Sequence, residues 1–206
     1  MNLVVLGANG KTGQELVNLA VSQGHNVTAI TRSPDAFSDQ ADVRAVKADV
    51  FNSSELAKVF AGMDAVLSTL GNNNSKLQLI ERSSKAIVEA MQATGVKRLV
   101  VELAFGGAAS ATLTKPTRAL NNMVLGKMLE DQKRGVDIIT KSHLDWTIVY
   151  ATMLTNGPLT EKVRVVDSTE KIGLRHKISR ADVSFAMLQS LENGRSIKKL
   201  PVTTAA

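Results

Sequence analysis

The heptapeptide Gly7-Ala8-Asn9-Gly10-Lys11-Thr12-Gly13 is the densest chemical signal in the chain. It follows the apolar run Leu3 to Leu6 and leads straight into a helical pattern. A glycine at 7 permits a sharp turn out of a strand. Gly10 removes the side chain that would block a pyrophosphate, and Gly13 lets helix and sheet pack closely. A pyrophosphate there meets free N–H groups at the positive end of the helix. These are the requirements of a dinucleotide site, with Asn9, Lys11 and Thr12 completing the turn.

The next charged signal is Arg32, followed by Ser33, at the end of the apolar run Val27 to Ile30. An NAD-selective site usually carries an acid about 20 residues beyond the glycines, bonding the ribose hydroxyls. A guanidinium and a hydroxyl suit a 2′-phosphate instead, so NADP(H) is expected in preference to NAD(H).

Three further groups invite chemistry. Glu102 sits late in an apolar run, where burial would raise its pKa and make it a weak proton-donor candidate. Tyr150, the only tyrosine, ends another run and is the second weak candidate, able to hydrogen-bond a nicotinamide amide or a substrate. His25 and His143 precede strand patterns, at the edge away from the glycine turn, and His176 has no second ligand at metal spacing. No metal is expected.

The elements that must position these groups alternate. Strand signals occur at Leu3–Leu6, Val27–Ile30, Val43–Ala48, Ala65–Leu70, Leu99–Leu103 and Thr147–Tyr150. Helical patterns run from Thr12 to Val21, stopped by Gly24, and over 53–61, where Asn52 and Glu55 resemble a capping box. Others run from Lys76 to Thr94, striped by Ile80, Ser84, Ile87 and Met91, over 118–141 with a possible break at Gly135, and from Ala181 to Leu191. The small polar segment 106–116 reads as a loop over a site. Strands separated by helices predict an α/β Rossmann-type, doubly wound parallel sheet with helices on both faces, and right-handed crossovers put the ligand loops at one edge. The chain is expected to form a single domain over 1–206, with 152–178 as a small cap on the substrate pocket.

Composition narrows the classes. The 206 residues contain no cysteine, which excludes disulfides, thiolate metal sites and cysteine nucleophiles and fits a reducing cytoplasm. No secretory signal and no membrane-length apolar run appears, so a soluble, cytoplasmic protein is expected. The net charge of +6 is scattered and aromatics make up 3%, which points away from nucleic acid. A monomer or homodimer acting on a small molecule remains.

The strand with GANGKTG, Arg32-Ser33, Asp49-Val50, the stretch SHLDWTIV at 142–149 and ISRADV at 178–183 resemble the atypical short-chain dehydrogenase/reductases. Within them the chain is most similar to the NAD(P)H-binding branch that holds biliverdin reductase B, flavin reductases and NmrA-like proteins. The resemblance covers nearly the whole chain. It implies that Asp49 and Val50 border the adenine, that Gly71 lies by the nicotinamide ribose with Leu70 also among the cofactor-binding residues, and that the loop after Tyr150 lines the nicotinamide and substrate pocket.

The departures are as informative. Typical members of the superfamily carry a serine at the fifth strand's end and a Tyr-x-x-x-Lys pair. Here Glu102-Leu103-Ala104 stands at the first, and Tyr150 is followed four residues on by Leu154. Loss of a proton donor costs about 10²–10⁴-fold in carbonyl reduction. A flavin or quinone delocalises the incoming charge and takes its proton from water. The expected acceptor is therefore planar and electron-poor, stacked among Asn72, Phe105, Tyr150 and Met153. The same absences fit the alternative, a non-catalytic NADP-binding redox sensor of NmrA-like type.

Overall fold

The computed structural model describes residues 1–71, 78–106, 113–167, 169–173, 175–192 and 194–206. Strand β1 (Asn2–Leu6) leads through the glycine turn into helix α1 (Lys11–Ser22), then β2 (Asn26–Ile30), β3 (Val43–Val46), α2 (Ser53–Phe60) and β4 (Ala65–Ser68). Helix α3 (Leu79–Thr94), β5 (Arg98–Ala104), α4 (Lys115–Thr140) and β6 (Asp145–Ala151) continue the alternation. Short strands β7 (Met153–Thr155), β8 (Val163–Val165) and β9 (Lys177–Ser179), helix α5 (Arg180–Glu192) and β10 (Val202–Ala205) complete it.

The main sheet has the order β3-β2-β1-β4-β5-β6-β10-β8. Every pairing in it is parallel except that of β10 with β8. The chain winds outward from β1 to β3 and then, through β4, outward in the other direction. That reversal between β1 and β4 opens a crevice at the carboxyl ends of the strands.

The unbroken apolar run of β1 follows from burial on both faces. Leu3 and Val5 face a core shared with Leu16, Val17, Val183 and Met187 of α1 and α5. Val4 and Leu6 face the other core, with Leu56, Phe60, Ile87, Met91 and Ile139 of α2, α3 and α4. All four β1 side chains are fully buried, each contributing about 1.5–3 kcal/mol relative to exposure.

The helix ends match the sequence signals in most places. Gly24 and Gly95 adopt φ of +80° and +76°, closing α1 and α3 in the left-handed region. Asn52 accepts from the N–H of Ser54 and Glu55 at 3.1 and 3.2 Å. Glu55 reaches back one turn further than a simple capping box and accepts from the Asp49 N–H at 2.8 Å.

Several expectations need correction. Helix α4 starts at Lys115 rather than 118 and runs unbroken through Gly135. A Cβ at Gly135 would lie 2.7 Å from Ile80 Cγ2 and 2.9 Å from the Ile80 carbonyl oxygen, so this glycine permits close packing of α3 on α4. One turn earlier, the buried carboxylate of Asp131 accepts from the N–H of Ile80 and Glu81, both at 3.0 Å. Helix α3 is thus capped by another helix, because Gln78 offers no side-chain cap. The expected start of α3 at 76, and the loop over 107–112, lie outside the described residues. Segment 152–178 is not wholly separate from the sheet, since β8 joins it through β10 while β7 and β9 form their own parallel pair. Strand β10 has no counterpart among the expected elements. Among the described residues no helix is long and apolar enough to cross a membrane.

Candidate functional site

The glycine turn carries the geometry its residue types predict. Gly7 has φ +76°, and its position is tight: a Cβ there would lie 3.0 Å from the backbone carbon and oxygen of Thr69. The Thr69 hydroxyl donates to the carbonyls of Leu6 and Gly7 at 3.1 and 3.3 Å, clasping the turn from the end of β4. Thr69 is the positioning residue that reading the sequence missed; a polar residue just past an apolar strand was its only signal. Gly13 is more crowded still, with a Cβ falling 2.2 Å from the Gly7 oxygen. Gly10 donates its N–H to Gly7 at 2.9 Å and has ordinary extended backbone.

Gly10 caps α1 without a side-chain hydrogen bond, and no acidic residue occupies the first helical turn. The N–H groups of Lys11, Thr12 and Gly13 therefore have no intrahelical acceptor and no competing carboxylate. Thr12 is buried while Asn9 and Lys11 are exposed. From the opposite side Ser184 of α5 donates to the Thr12 carbonyl at 3.3 Å, which holds the start of α1 in place.

Arg32 and Ser33 follow β2 directly. Buried Thr31 accepts from the Ser33 N–H at 3.1 Å, which leaves both Arg32 and Ser33 exposed at the strand end. Asp49, after β3, accepts from the Phe51 N–H at 3.0 Å. Val50 is half-buried against the core. Leu70 is half-buried and Gly71 exposed beyond β4. The structure thus brings all these expected cofactor residues to the carboxyl edge of β1, β2, β3 and β4. Asn72 lies outside the described residues.

The second group behaves differently. Tyr150, expected at the ligand edge, is 1% exposed, and its ring packs in the core beneath α4. Phe105, also expected to line the acceptor pocket, is itself buried in that core and meets it edge to face with 6.5 Å between ring centroids. The hydroxyl has no hydrogen-bond partner among the described residues. Burial, with the charge of Asp137 adding to it, pushes its pKa up to about 12. That suits neither a resting phenolate nor a ready exchange of protons with water. Met153, by contrast, is 46% exposed on β7.

Glu102 is buried on β5, with its neighbours Val100 and Val149 in the core facing α1 and α5. Burial lifts its carboxyl to about 7, with Arg180 drawing it back. Among the described residues no cluster of His, Asp or Glu suited to a metal ion occurs.

Comparison with known proteins identifies the family. A family model described as NAD(P)H-binding matches residues 7–194. The Bacillus subtilis protein YwnB, named only as uncharacterised, is 32% identical over 94% of this chain and 93% of its own length. The solved structure of ChuY, an anaerobillin reductase from Escherichia coli O157:H7, superposes with a TM-score of 0.83 at 19% identity, over 100% of this chain and 97% of that one. A short-chain dehydrogenase/reductase from Veillonella parvula in complex with NADP superposes with a TM-score of 0.83 at 17% identity, over 98% and 94%. At such identities the structural likeness is one of fold.

Proposed function

Because the chain belongs to the NAD(P)H-binding family, we propose that it is an NADPH-dependent reductase of a planar, electron-poor acceptor such as a flavin or quinone. The observation that carries the cofactor half is the start of α1. It combines a cleared backbone, an uncapped positive helix end and an exposed Arg32 at the neighbouring strand end. These residues fit a phosphorylated dinucleotide: Gly10 to Gly13 would hold the pyrophosphate and Arg32 with Ser33 the 2′-phosphate. When bound, the reduced nicotinamide supplies a hydride.

The chain's own contribution is binding and shielding rather than acid–base chemistry. The serine position holds Ala104, no lysine follows Tyr150 at the required spacing, and the Tyr150 hydroxyl is sealed in apolar surroundings. An acceptor that stabilises the incoming charge itself matches such a site. Met153, exposed on β7, supplies apolar surface for it, with 152–178 acting as the cap. ChuY, which shares this fold, is named as an anaerobillin reductase.

Steady-state oxidation of NADPH tests this reading. Flavins, quinones or triphenylmethane dyes should turn over, while simple ketones and aldehydes should not. Failure of every acceptor, with NADPH still bound tightly, would overturn it in favour of a non-catalytic NADP sensor.

A further inference from the structure

Glu102 is a charge that neither the fold nor the proposed hydride transfer uses. It is 6% exposed, and among the described residues no hydrogen bond reaches its carboxyl. An apolar residue of similar size would fill the same space without the cost of burying an ionisable group.

Its position gives it a use. Ser68 and Val101 form the last registered pair of β4 and β5, and the next residues along are Thr69 and Glu102. Thr69 is the residue that clasps Leu6 and Gly7 at the glycine turn. Glu102 therefore lies two strands away from β1 and its turn, with β4 between, on the face covered by α1 and α5. A dinucleotide held at the turn spans the crevice. With Arg32 and Asp49 ending β2 and β3 on one side, its nicotinamide half falls to the ends of β4 and β5.

We propose that Glu102 makes the site discriminate between the oxidation states of the bound nicotinamide, its ionised carboxylate holding the oxidised, positively charged ring more tightly. The inference rests on the cofactor placement proposed above. Arg180, at the start of α5, is the charged group that acts on Glu102. Asp182 on the same helix directs its carboxylate to the N–H groups of Thr160 and Glu161. Strand β6 presents uncharged Val149 opposite Glu102, β4 continues into Thr69, and Lys11 of α1 is exposed. Burial against the pull of Arg180 lets the carboxyl change charge near neutral pH.

NADP⁺ and NADPH carry the same phosphates, so the ratio of their dissociation constants isolates the charge of the ring. Calorimetry from about pH 6 to about pH 8 should show NADP⁺ gaining on NADPH by about tenfold as pH rises. About tenfold is the scale expected of a charge–charge interaction screened at an effective dielectric near 20. In Glu102→Gln, checked for folding by circular dichroism, the ratio should stay flat. Arg180→Ala should move the midpoint of the wild-type curve to higher pH, because the ionised form loses its cation. This second variant decides the matter if the first fails to fold.

A wild-type ratio independent of pH would overturn the inference, as would an undiminished pH dependence in Glu102→Gln. Gly10→Val separates the two levels of the argument. If it binds both cofactors as wild type does, the placement at the turn is wrong. If it binds neither while the wild-type ratio is flat, only the role of Glu102 fails.

Discussion

The three glycines of the turn do different jobs, and two substitutions should separate them. A Cβ at Gly10 would meet only the Gly7 oxygen, at 3.2 Å, and the backbone at φ −72° and ψ 161° is open to any residue. Gly10→Val restricts the unfolded chain, which offsets that mild crowding and leaves net stability within about 1 kcal/mol of wild type. At 206 residues this corresponds to a Tm change of about 2–4 °C. Its branched side chain stands where a pyrophosphate must approach the N–H groups of α1, so NADPH binding should be lost. A Cβ at Gly13 instead meets the Gly7 oxygen at 2.2 Å and Ala8 Cα at 2.8 Å. All of these are backbone atoms, and no side-chain rotation relieves them. Gly13→Ala must push α1 away from the sheet, at a cost of about 3 kcal/mol and a Tm fall near 10 °C. Melting by circular dichroism, paired with NADPH titration of the folded protein, reads both effects. The reasoning is refuted if Gly10→Val titrates like wild type, or if Gly13→Ala melts like wild type.

Three further outcomes are expected. Arg32→Ala should weaken NADPH binding by at least about tenfold, the loss of one charge-assisted hydrogen bond to the 2′-phosphate, and barely alter NADH binding; equal effects on both cofactors in calorimetry would argue against this role. Tyr150→Phe removes a buried hydroxyl without a partner among the described residues, so urea titration should find it neutral or about 1 kcal/mol more stable, with turnover changed only mildly; a loss near a thousandfold would make the hydroxyl the proton donor. Glu102 is raised from 4.5 to about 7 in the folded state, so between these values the folded chain holds a proton that the unfolded chain has released. Stability should therefore fall as pH rises through that window and level off above it, by on the order of 3 kcal/mol more than in Glu102→Gln. Parallel stability–pH curves for the two proteins would contradict the burial of this carboxyl.

Several features were legible in the sequence because local chemistry alone determines them. A glycine with positive φ, an asparagine cap at Asn52 and continuous apolar runs for strands buried on both faces carry the same meaning in any surroundings. From these follow the Rossmann architecture, the location of the glycine turn and the set of strand ends that lie beside it. Other features belong only to the tertiary structure, since they are contacts between residues far apart in the chain. Gly135 reads as a helix breaker until α3 is seen packed against it, where the absence of a side chain serves the close approach of Ile80. Asp131 resembles any helical acid until its carboxylate is found capping α3 across 51 and 50 residues of chain. The hydroxyl of Tyr150 was expected at the ligand edge because the tyrosine ends a strand, yet the pleat turns its ring under α4. Which face of the sheet a strand-end residue takes, and what covers it there, depends on register and helix placement. No stretch of sequence contains that information by itself.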